Sequence, residues 1–463
     1  MTILLDLPNE LLLSIFTYAD PDDLVNFGVT CRHIFAVGEG PLREHRARLQ
    51  KYHTVTCSDI EDECASWNLM YDVLLNPPVA LYVRELELAA ERKSEWETQE
   101  EWYAVAMEQS RNLDPAWREL VSYGNDGLVI ECLLPRLLRL RELRYAPCGE
   151  SSLFLDAAAK AARNYKEATL GSISLNSVPF QHLTTVSFAH WDTEGSMNYA
   201  WLLYFSRIPS VRSVKGHMVG YETYDLENQA RLERDLLQSN ATSLTMWYSA
   251  IGLNAFRALV MGMPKLRNFC YDHGGAIVDD YDFDAKAMFK ILSKYTKDSL
   301  ESLQIFDSSD IGYDDQETPH ALLSKFKKLR TLDTDWDALL PDPDDDEDAA
   351  LDDVELSQGF FEEVYSAPLV PEIARLLPSS LEELSLRKCG SDWFLVLKSL
   401  CEKKEEHCPK LRKLTFAITW EDDVGTQDAK VAELKEVAKK FELEVENCEE
   451  NDFFQRGMLE TLE

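Results

Sequence analysis

The residues that could carry out chemistry are scattered along the 463-residue chain, and one small group has the composition of a metal site. Cys401, His407 and Cys408 lie close together in the sequence, and zinc is commonly bound by thiolates and imidazoles. A structural zinc site needs four such ligands, and no fourth one lies nearby. Packing of reduced thiols is therefore the better interpretation, and we expect no metal or other cofactor.

The sequence contains none of the common catalytic patterns. There is no Gly-x-Ser-x-Gly, no phosphate-binding loop, no Gly-x-Gly-x-x-Gly and no His-Glu-x-x-His. The nine histidines follow no motif. These observations predict a non-catalytic protein. The alternative, an enzyme such as an acidic hydrolase, would require a cleft with convergent polar groups.

Negative charge dominates the chain, with 82 Asp and Glu against 47 Lys and Arg and a net charge of −35. This charge disfavours binding to nucleic-acid phosphates or to an anionic membrane.

No stretch approaches roughly 18 uninterrupted apolar residues, and no basic segment precedes the first apolar run, so neither a membrane span nor a secretory signal is expected. Ten cysteines without a Cys-x-x-Cys pair indicate reduced thiols in an intracellular protein, of the cytoplasm or the nucleus.

The densest acidic run, Pro341–Glu355, holds nine carboxylates in fifteen residues. Mutual repulsion of these charges predicts a loosely ordered insertion over residues 341–357. A calcium-binding loop would need a glycine at its sharp turn, and the run contains none. Binding of a basic tail of another protein is a further alternative for this segment.

The chain begins with three short apolar segments that are separated by Asp20-Pro21 and by Gly28. Proline is well tolerated at the first position of a helix, where its missing N–H costs nothing, and aspartate is a good N-cap. Leu12 and Ile15 have the spacing of one helix face. The pattern predicts three short helices within about 40 residues, a unit that is marginally stable alone. Its surplus apolar surface therefore needs a partner.

These segments resemble the F-box, whose pattern is Leu-Pro-x-Glu, an aliphatic helix, Asp-Pro-x-Asp-Leu and Val-x-Cys-Arg. Ala19 stands where that family usually has leucine, and Ile34 or Phe35 replaces its usual tryptophan. The matching stretches, in the same order and spacing, are Leu7–Glu10, Ile15–Phe16, Asp20–Leu24 and Val29–Arg32.

The resemblance implies docking onto the Skp adaptor of a Skp–cullin–F-box ubiquitin ligase. The alternative is an ordinary three-helix bundle whose apolar side chains pack inward or against the rest of this chain. The contact set that the resemblance implies is Leu7, Pro8, Leu12, Ile15, Leu24, Val29 and Cys31.

A six-residue pattern, apolar-x-x-apolar-x-apolar, recurs along the rest of the chain in eight copies and two weaker ones at Val211 and Ala241, mostly at steps of 25 to 34 residues with three longer gaps. The alternation at its end is that of a strand with one buried face, and several segments between copies have helical periodicity. The copies begin at Val83, Leu140, Leu183, Val211, Ala241, Leu266, Leu300, Leu329, Leu381 and Leu411.

One strand and one helix, repeated, resemble a leucine-rich-repeat solenoid. In that family an Asn or Cys follows the strand, a position that Cys148 and Cys389 would take in two copies. The other copies lack it, so the repeats are degenerate. The alternative is an α/β domain with ordinary amphipathic strands.

Together these patterns predict an α/β fold in which a small three-helix F-box precedes a leucine-rich-repeat solenoid. The expected boundaries are 1–45 for the F-box, 46–78 for a helical linker, 79–448 for the solenoid and 449–463 for a C-terminal tail.

The predicted function is that of a substrate-recognition subunit of a ubiquitin ligase, with an adaptor, a cullin and an unknown target protein as partners. The alternative is a non-degradative interaction scaffold. Aromatic side chains near charges suit protein recognition, although such rings also cover the ends of repeats. Residues just after the strands would form a target-binding rim: Trp191, Trp247, Tyr248, Asp272, Phe306 and Trp336.

Overall fold

The computed structural model of the protein divides into two compact units, which are described separately. The first comprises Met1–Trp191, Ala200–Lys215 and Arg234–Leu237, and the second comprises Asp192–Tyr199, Gly216–Glu233 and Gln238–Glu463. The described residues are 4, 7–58, 65–89, 133–146, 152–171, 178–190, 195–220, 238–274, 283–308, 323–339, 373–419 and 424–448. The acidic insertion 341–357, the tail 449–463, Cys148 and Trp191 lie outside them.

Four helices begin the first unit: α1 (Asn9–Tyr18), α2 (Pro21–Gly28), α3 (Arg32–Val37) and α4 (Glu39–Tyr52). The first three are the short helices that the sequence predicts. Asp20 is the N-cap of α2, because its side chain accepts a hydrogen bond of 3.1 Å from the backbone N–H of Asp22. Cys31 caps α3 with its sulfur, which accepts from the N–H of Ile34.

The rest of the first unit alternates strands with helices. The strands β1 to β4 pair in that order, and all of them are parallel. The elements are β1 (Thr54–Ser58), α5 (Ala65–Leu75), β2 (Glu85–Ala89), β3 (Glu142–Ala146), α6 (Ser152–Thr169), β4 (Thr185–Ala189) and α7 (Ala200–Ser206). The predicted linker 46–78 is thus not wholly helical. Its β-branched run Thr54-Val55-Thr56 favours the strand β1, which pairs with β2.

The second unit continues the alternation, and its strands from β8 onwards are also parallel neighbours. The boundary between the units falls within β6. The elements are β5 (Met197–Asn198), β6 (Ser213–His217), β7 (Val219–Gly220), β8 (Ser243–Ser249), α8 (Leu253–Met261), β9 (Asn268–His273), α9 (Ala285–Tyr295), β10 (Ser302–Asp307), β11 (Thr331–Asp335), α10 (Ile373–Leu376), β12 (Glu383–Cys389), α11 (Trp393–His407), β13 (Lys413–Ile418), α12 (Val424–Lys439) and β14 (Glu444–Asn447).

Each of the ten copies of the six-residue pattern lies on a strand. Every strand begins two residues after the first apolar residue of its copy, as Ser302 follows Leu300. Leu300, Leu303 and Ile305 are fully buried, and the residue between the last two, Gln304, is partly exposed. The alternation therefore marks one core-facing side of each strand.

One shared backbone arrangement joins a copy to the next at eight places in the two units. The carbonyl oxygen of Arg84 accepts hydrogen bonds from the N–H groups of both Arg141 and Glu142, at 2.7 and 3.0 Å. The register that follows aligns Leu86 with Leu143. The same double acceptance occurs at the carbonyls of Arg141, Thr184, Thr242, Arg267, Glu301, Arg330 and Glu382.

In the part of the chain that the structure describes, no helix combines the length and apolar character that crossing a bilayer requires.

The buried side of the strands is tested by Leu303→Ala. Removing this fully buried side chain should lower the free energy of unfolding by about 2–5 kcal/mol, measured by denaturant unfolding. Gln304→Ala, on the other side of the same strand, is the matched control and should change it by less than about 0.5 kcal/mol. Equal losses in the two variants would contradict the assigned core side.

Candidate docking surface on the N-terminal helices

The helices α1 to α4 fold around a small apolar core. Phe16 packs edge-to-face against Phe27, with ring centroids 4.8 Å apart, an arrangement that adds to apolar burial. Gly38, at the N-terminus of α4, lies against Phe16, since a Cβ there would overlap the ring. The buried members of the core are Leu12, Phe16, Leu24, Ile34 and Leu42, and Leu7, Ile15, Ala19, Phe27, Cys31 and Val37 pack partly buried against them.

The same helices expose a large share of the apolar side chains that are not buried. Of the twelve large apolar side chains that are exposed among the described residues, seven lie between Leu4 and Phe35. Tyr18 is 87% exposed and Val29 is 64% exposed. We call six of these side chains the exposed apolar set: Leu11, Leu13, Tyr18, Val25, Val29 and Phe35. Exposed apolar surface concentrated in this way is typical of an interaction site.

The predicted adaptor-contact residues do not share one exposed face. Leu12 and Leu24 are 0% and 5% exposed, so they belong to the core of the helices, and their contact with an adaptor stays a prediction. The three- and four-residue spacing of apolar residues identified the side of each helix that faces the core, because residues at that spacing lie on one helix face. Of the other five, Pro8 and Val29 are exposed, and Leu7, Ile15 and Cys31 are partly buried.

Sequence reasoning missed Leu11, Val25 and Phe35, which are each about half exposed. The sequence does carry an indication that Leu11 is exposed. Leu11 and Leu13 flank the buried Leu12, so α1 is apolar on more than its core side. A helix with apolar residues on more than one side has more apolar surface than its own core can cover.

Comparison with protein families decides what this helical unit is. Residues 4–42 match the F-box-like family. The F-box-like domain thus spans α1 to α3 and the start of α4, and it includes the whole exposed apolar set. Domains of this kind are typically non-catalytic adaptor modules that bind Skp-type proteins. No curated protein matches the chain.

A second cluster lies in the second unit, at the carboxyl ends of β9 to β12. Asp272 pairs in register with Phe306, and Asp335 pairs with Arg387. The guanidinium of Arg387 lies 3.7 Å from the ring centroid of Phe306 and donates two hydrogen bonds to Asp333, of 2.9 and 2.6 Å. These contacts hold a buried arginine between an aromatic face and a carboxylate.

Two strained residues adjoin this cluster. Tyr248 and Lys388 have left-handed φ angles of 46° and 52°, which are unfavourable for residues other than glycine. Each lies at a register shift, one in β8 and the other in β12. The ammonium of Lys388 then donates to the carbonyl oxygen of Asp307 at 2.8 Å. Strain of this kind persists only where the surrounding contacts determine it.

The burial of this cluster bears on the predicted target-binding rim. Asp272, Phe306 and Trp336 are 0%, 2% and 5% exposed, so they pack within the unit as the structure stands. Trp247 and Tyr248 are partly buried. Contact between these residues and a target protein stays a prediction. Trp247 and Tyr248 are the better candidates for it, because they are partly exposed.

Burial raises the pKa of Asp272 to about 7. The Ser308 hydroxyl, the Tyr248 N–H and Arg387 favour the charged carboxylate, whereas the neighbouring charge of Asp307 disfavours it. The effect of burial is the largest, because a carboxylate without water loses its solvation. The carboxyl group is therefore partly protonated at neutral pH.

The sulfur atoms considered for zinc are packed in the core. Cys401 and Cys408 are fully buried, and burial raises their pKa values to about 12 and about 11. Among the described residues, no group of three or more His, Cys, Asp or Glu side chains has the arrangement of a metal site.

Substitution of Gly38 should disrupt the F-box-like domain. In Gly38→Ala the new methyl group would overlap the Phe16 ring, so we expect a loss of at least about 1–3 kcal/mol, measured by thermal unfolding of the helices. Gly40→Ala is the control, because its Cβ would meet nothing within 4 Å. It should be neutral or stabilise α4 by up to about 1 kcal/mol. Similar losses in both variants would argue against this packing.

Asp272→Asn should stabilise the protein more as the pH rises. The pKa of Asp272 is raised in the folded state, so its contribution to stability is present below its ordinary pKa of 3.8 and is lost between there and about pH 7. The neutral amide avoids that loss. The free energies of unfolding of the variant and the parent, measured by denaturant unfolding, should therefore differ by up to about 4 kcal/mol at pH 8 and little at pH 4.

The control for this titration is Asp298→Asn. Its carboxylate is exposed, and the hydrogen bond from Lys327 lowers the pKa of Asp298. Loss of this charge should therefore give no gain in stability between pH 4 and pH 8. A pH-independent difference between Asp272→Asn and the parent would show that Asp272 does not titrate as described.

Proposed function

We propose that the protein is the substrate-recognition subunit of a Skp–cullin–F-box type ubiquitin ligase. The F-box-like domain docks onto a Skp-type adaptor, the adaptor attaches it to a cullin, and the strand region holds a target protein. The observation that carries this proposal is that the F-box-like match and the exposed apolar set occupy the same helices.

The docking chemistry is apolar burial. Covering the exposed apolar set against adaptor helices removes it from water, at about 25 cal/mol per Å² of apolar surface. Val25 and Val29 are four residues apart and so face the same way on α2 and its C-terminal cap. A helical partner that packs there completes the core of a unit that is too small to bury all its apolar residues.

The proposal extends to the strands, which we assign as degenerate leucine-rich repeats. Three observations support it: ten copies of one pattern, the constant two-residue offset between copy and strand, and the parallel pairing within each unit. Helices such as α9 and α11 fall between strands, as that architecture requires. Leu303, Leu332 and Leu384 occupy equivalent buried positions on adjacent strands.

The work of such a subunit is positional. Holding a target beside the ubiquitin-carrying part of the complex raises its effective concentration there, and no bond chemistry by this chain is needed. Target contact is proposed at the strand ends of the second unit, where Trp247 and Tyr248 are partly exposed beside the strained backbone. The target is an unidentified protein.

Val25→Asp combined with Val29→Asp should strongly weaken adaptor binding. Two charges placed in an apolar interface would be desolvated without partners, so the Kd for a purified Skp-type adaptor should rise at least about 30-fold, measured by calorimetry. Both residues are about half exposed or more, so the helical content should be retained. A buried position such as Leu24 would not discriminate, because its substitution would unfold the domain.

The matched control is Leu170→Asp. Leu170 is 74% exposed but lies outside residues 4–42, and this variant should bind the adaptor with unchanged affinity. Parent-like binding by the double variant would remove the docking proposal. Capture of targets by the parent chain, with the cullin inactivated so that they accumulate, then separates a degradative receptor from a non-degradative scaffold.

A further inference from the structure

Arginines that precede the strands β2 and β3 form ion pairs with the turn that leads into α2. These residues all belong to the first unit. The guanidinium of Arg84, just before β2, donates to a carboxylate oxygen of Asp22 at 2.6 Å. Arg139, which precedes β3, donates to the carboxylate of Asp20. Arg139 and Arg141 also approach the second carboxylate oxygen of Asp22, at 4.0 Å each. Three cations thus converge on two carboxylates of the F-box-like domain.

The pair of Arg84 with Asp22 is partly withdrawn from water. The side chain of Arg84 is 4% exposed, and its guanidinium also donates to the carbonyl oxygen of Leu81 at 2.5 Å. A cation held so closely is costly to leave without its carboxylate partner. Fully exposed ion pairs contribute little to stability, but the pair of Arg84 with Asp22 is neither fully exposed nor isolated. The pair is therefore capable of fixing the orientation of the F-box-like domain relative to β2.

The positive potential at this place shows in a neighbouring histidine. Burial lowers the pKa of His182, and Arg139, Arg141 and Arg84 lower it further, whereas Asp22 raises it. The arginines repel one another unless an anion lies between them. In this chain that anion comes from the F-box-like domain.

The three acids of the turn have separate roles. Asp20 both caps α2 and pairs with Arg139. Asp22 occupies the variable position of the Asp-Pro-x-Asp pattern, so the F-box resemblance does not account for it. Asp23 is exposed, and of the described side chains none forms an ion pair with it. Asp22 and Asp23 therefore form a natural comparison.

We propose that Asp22, together with Asp20, is an ionic clamp that sets one orientation of the F-box-like domain on β2 and β3. Asp22 is a positioning residue and takes no part in adaptor contact. The consequence of the clamp for ubiquitin transfer rests on the proposed function. An adaptor bound to the F-box-like domain would then keep a fixed orientation relative to β2 and β3. The competing possibility is that α4, whose His45 lies 3.1 Å from the Tyr82 hydroxyl, fixes the orientation without the clamp.

The test measures the distance between two spin labels in the full-length chain. Thr17 on α1 and Glu167 on α6 are both exposed and belong to the first unit, and labels are attached there through unnatural amino acids because the chain has ten cysteines. The parent and Asp23→Asn should give one narrow distance. Asp22→Asn should lose that single distance and give a broad or shifted distribution, and Asp22→Glu should restore a narrow one.

A narrow, unshifted distance in Asp22→Asn would overturn the clamp and leave α4 as the positioning element. Arg139→Gln provides a second variant that acts from the other side of the contact, and it should also broaden the distance. Adaptor affinity is measured on the same variants without labels, because Thr17 adjoins the exposed apolar set. Retained affinity in Asp22→Asn supports a positioning role, and lost affinity with an unchanged distance contradicts it.

The two proposals fail in different ways. The distances are measured without adaptor, so a parent chain that does not bind a Skp-type adaptor would remove the proposed function and leave the clamp intact. Circular dichroism of each variant confirms that the helices are folded before distances are compared.

Discussion

One backbone interaction governs the strand region: a carbonyl oxygen that accepts two N–H groups of the following copy. It recurs at equivalent residues, from Arg84 to Glu382. Within each unit the acceptor precedes the strand, and the strands that it joins are parallel neighbours. The leucines then meet on one face, and the apolar burial that stabilises each unit follows from this alignment.

The same register explains how residues that are distant in sequence come together in two charged clusters. Arg84 contributes its carbonyl to the pairing with β3, while its guanidinium holds Asp22 of the F-box-like domain. At the other end of the strands, alignment places Asp272 beside Phe306 and Asp335 beside Arg387. In each unit, one side of the strands is thus used for packing, and the strand ends carry charge.

Local patterns predicted most of the described elements, although not β1, and they did not predict which side chains are exposed. The N-cap Asp20 and the strand after Leu300 follow from residue types and spacing alone. Whether Leu12 or Leu11 faces outward depends on contacts with α3 and α4, which spacing within α1 does not contain. The burial of Phe306 and the pair of Arg84 with Asp22 also depend on residues far away in sequence.

The doubly accepting carbonyl has an evolutionary consequence. It joins Arg84 to Arg141 across a long intervening segment and Thr242 to Arg267 across a short one with the same local geometry. Segments between copies can therefore lengthen or shorten without disturbing the scaffold, because the entropy cost of a longer loop grows only slowly. Insertions and deletions between copies can therefore change the length of these segments over evolution while the strand framework keeps its geometry.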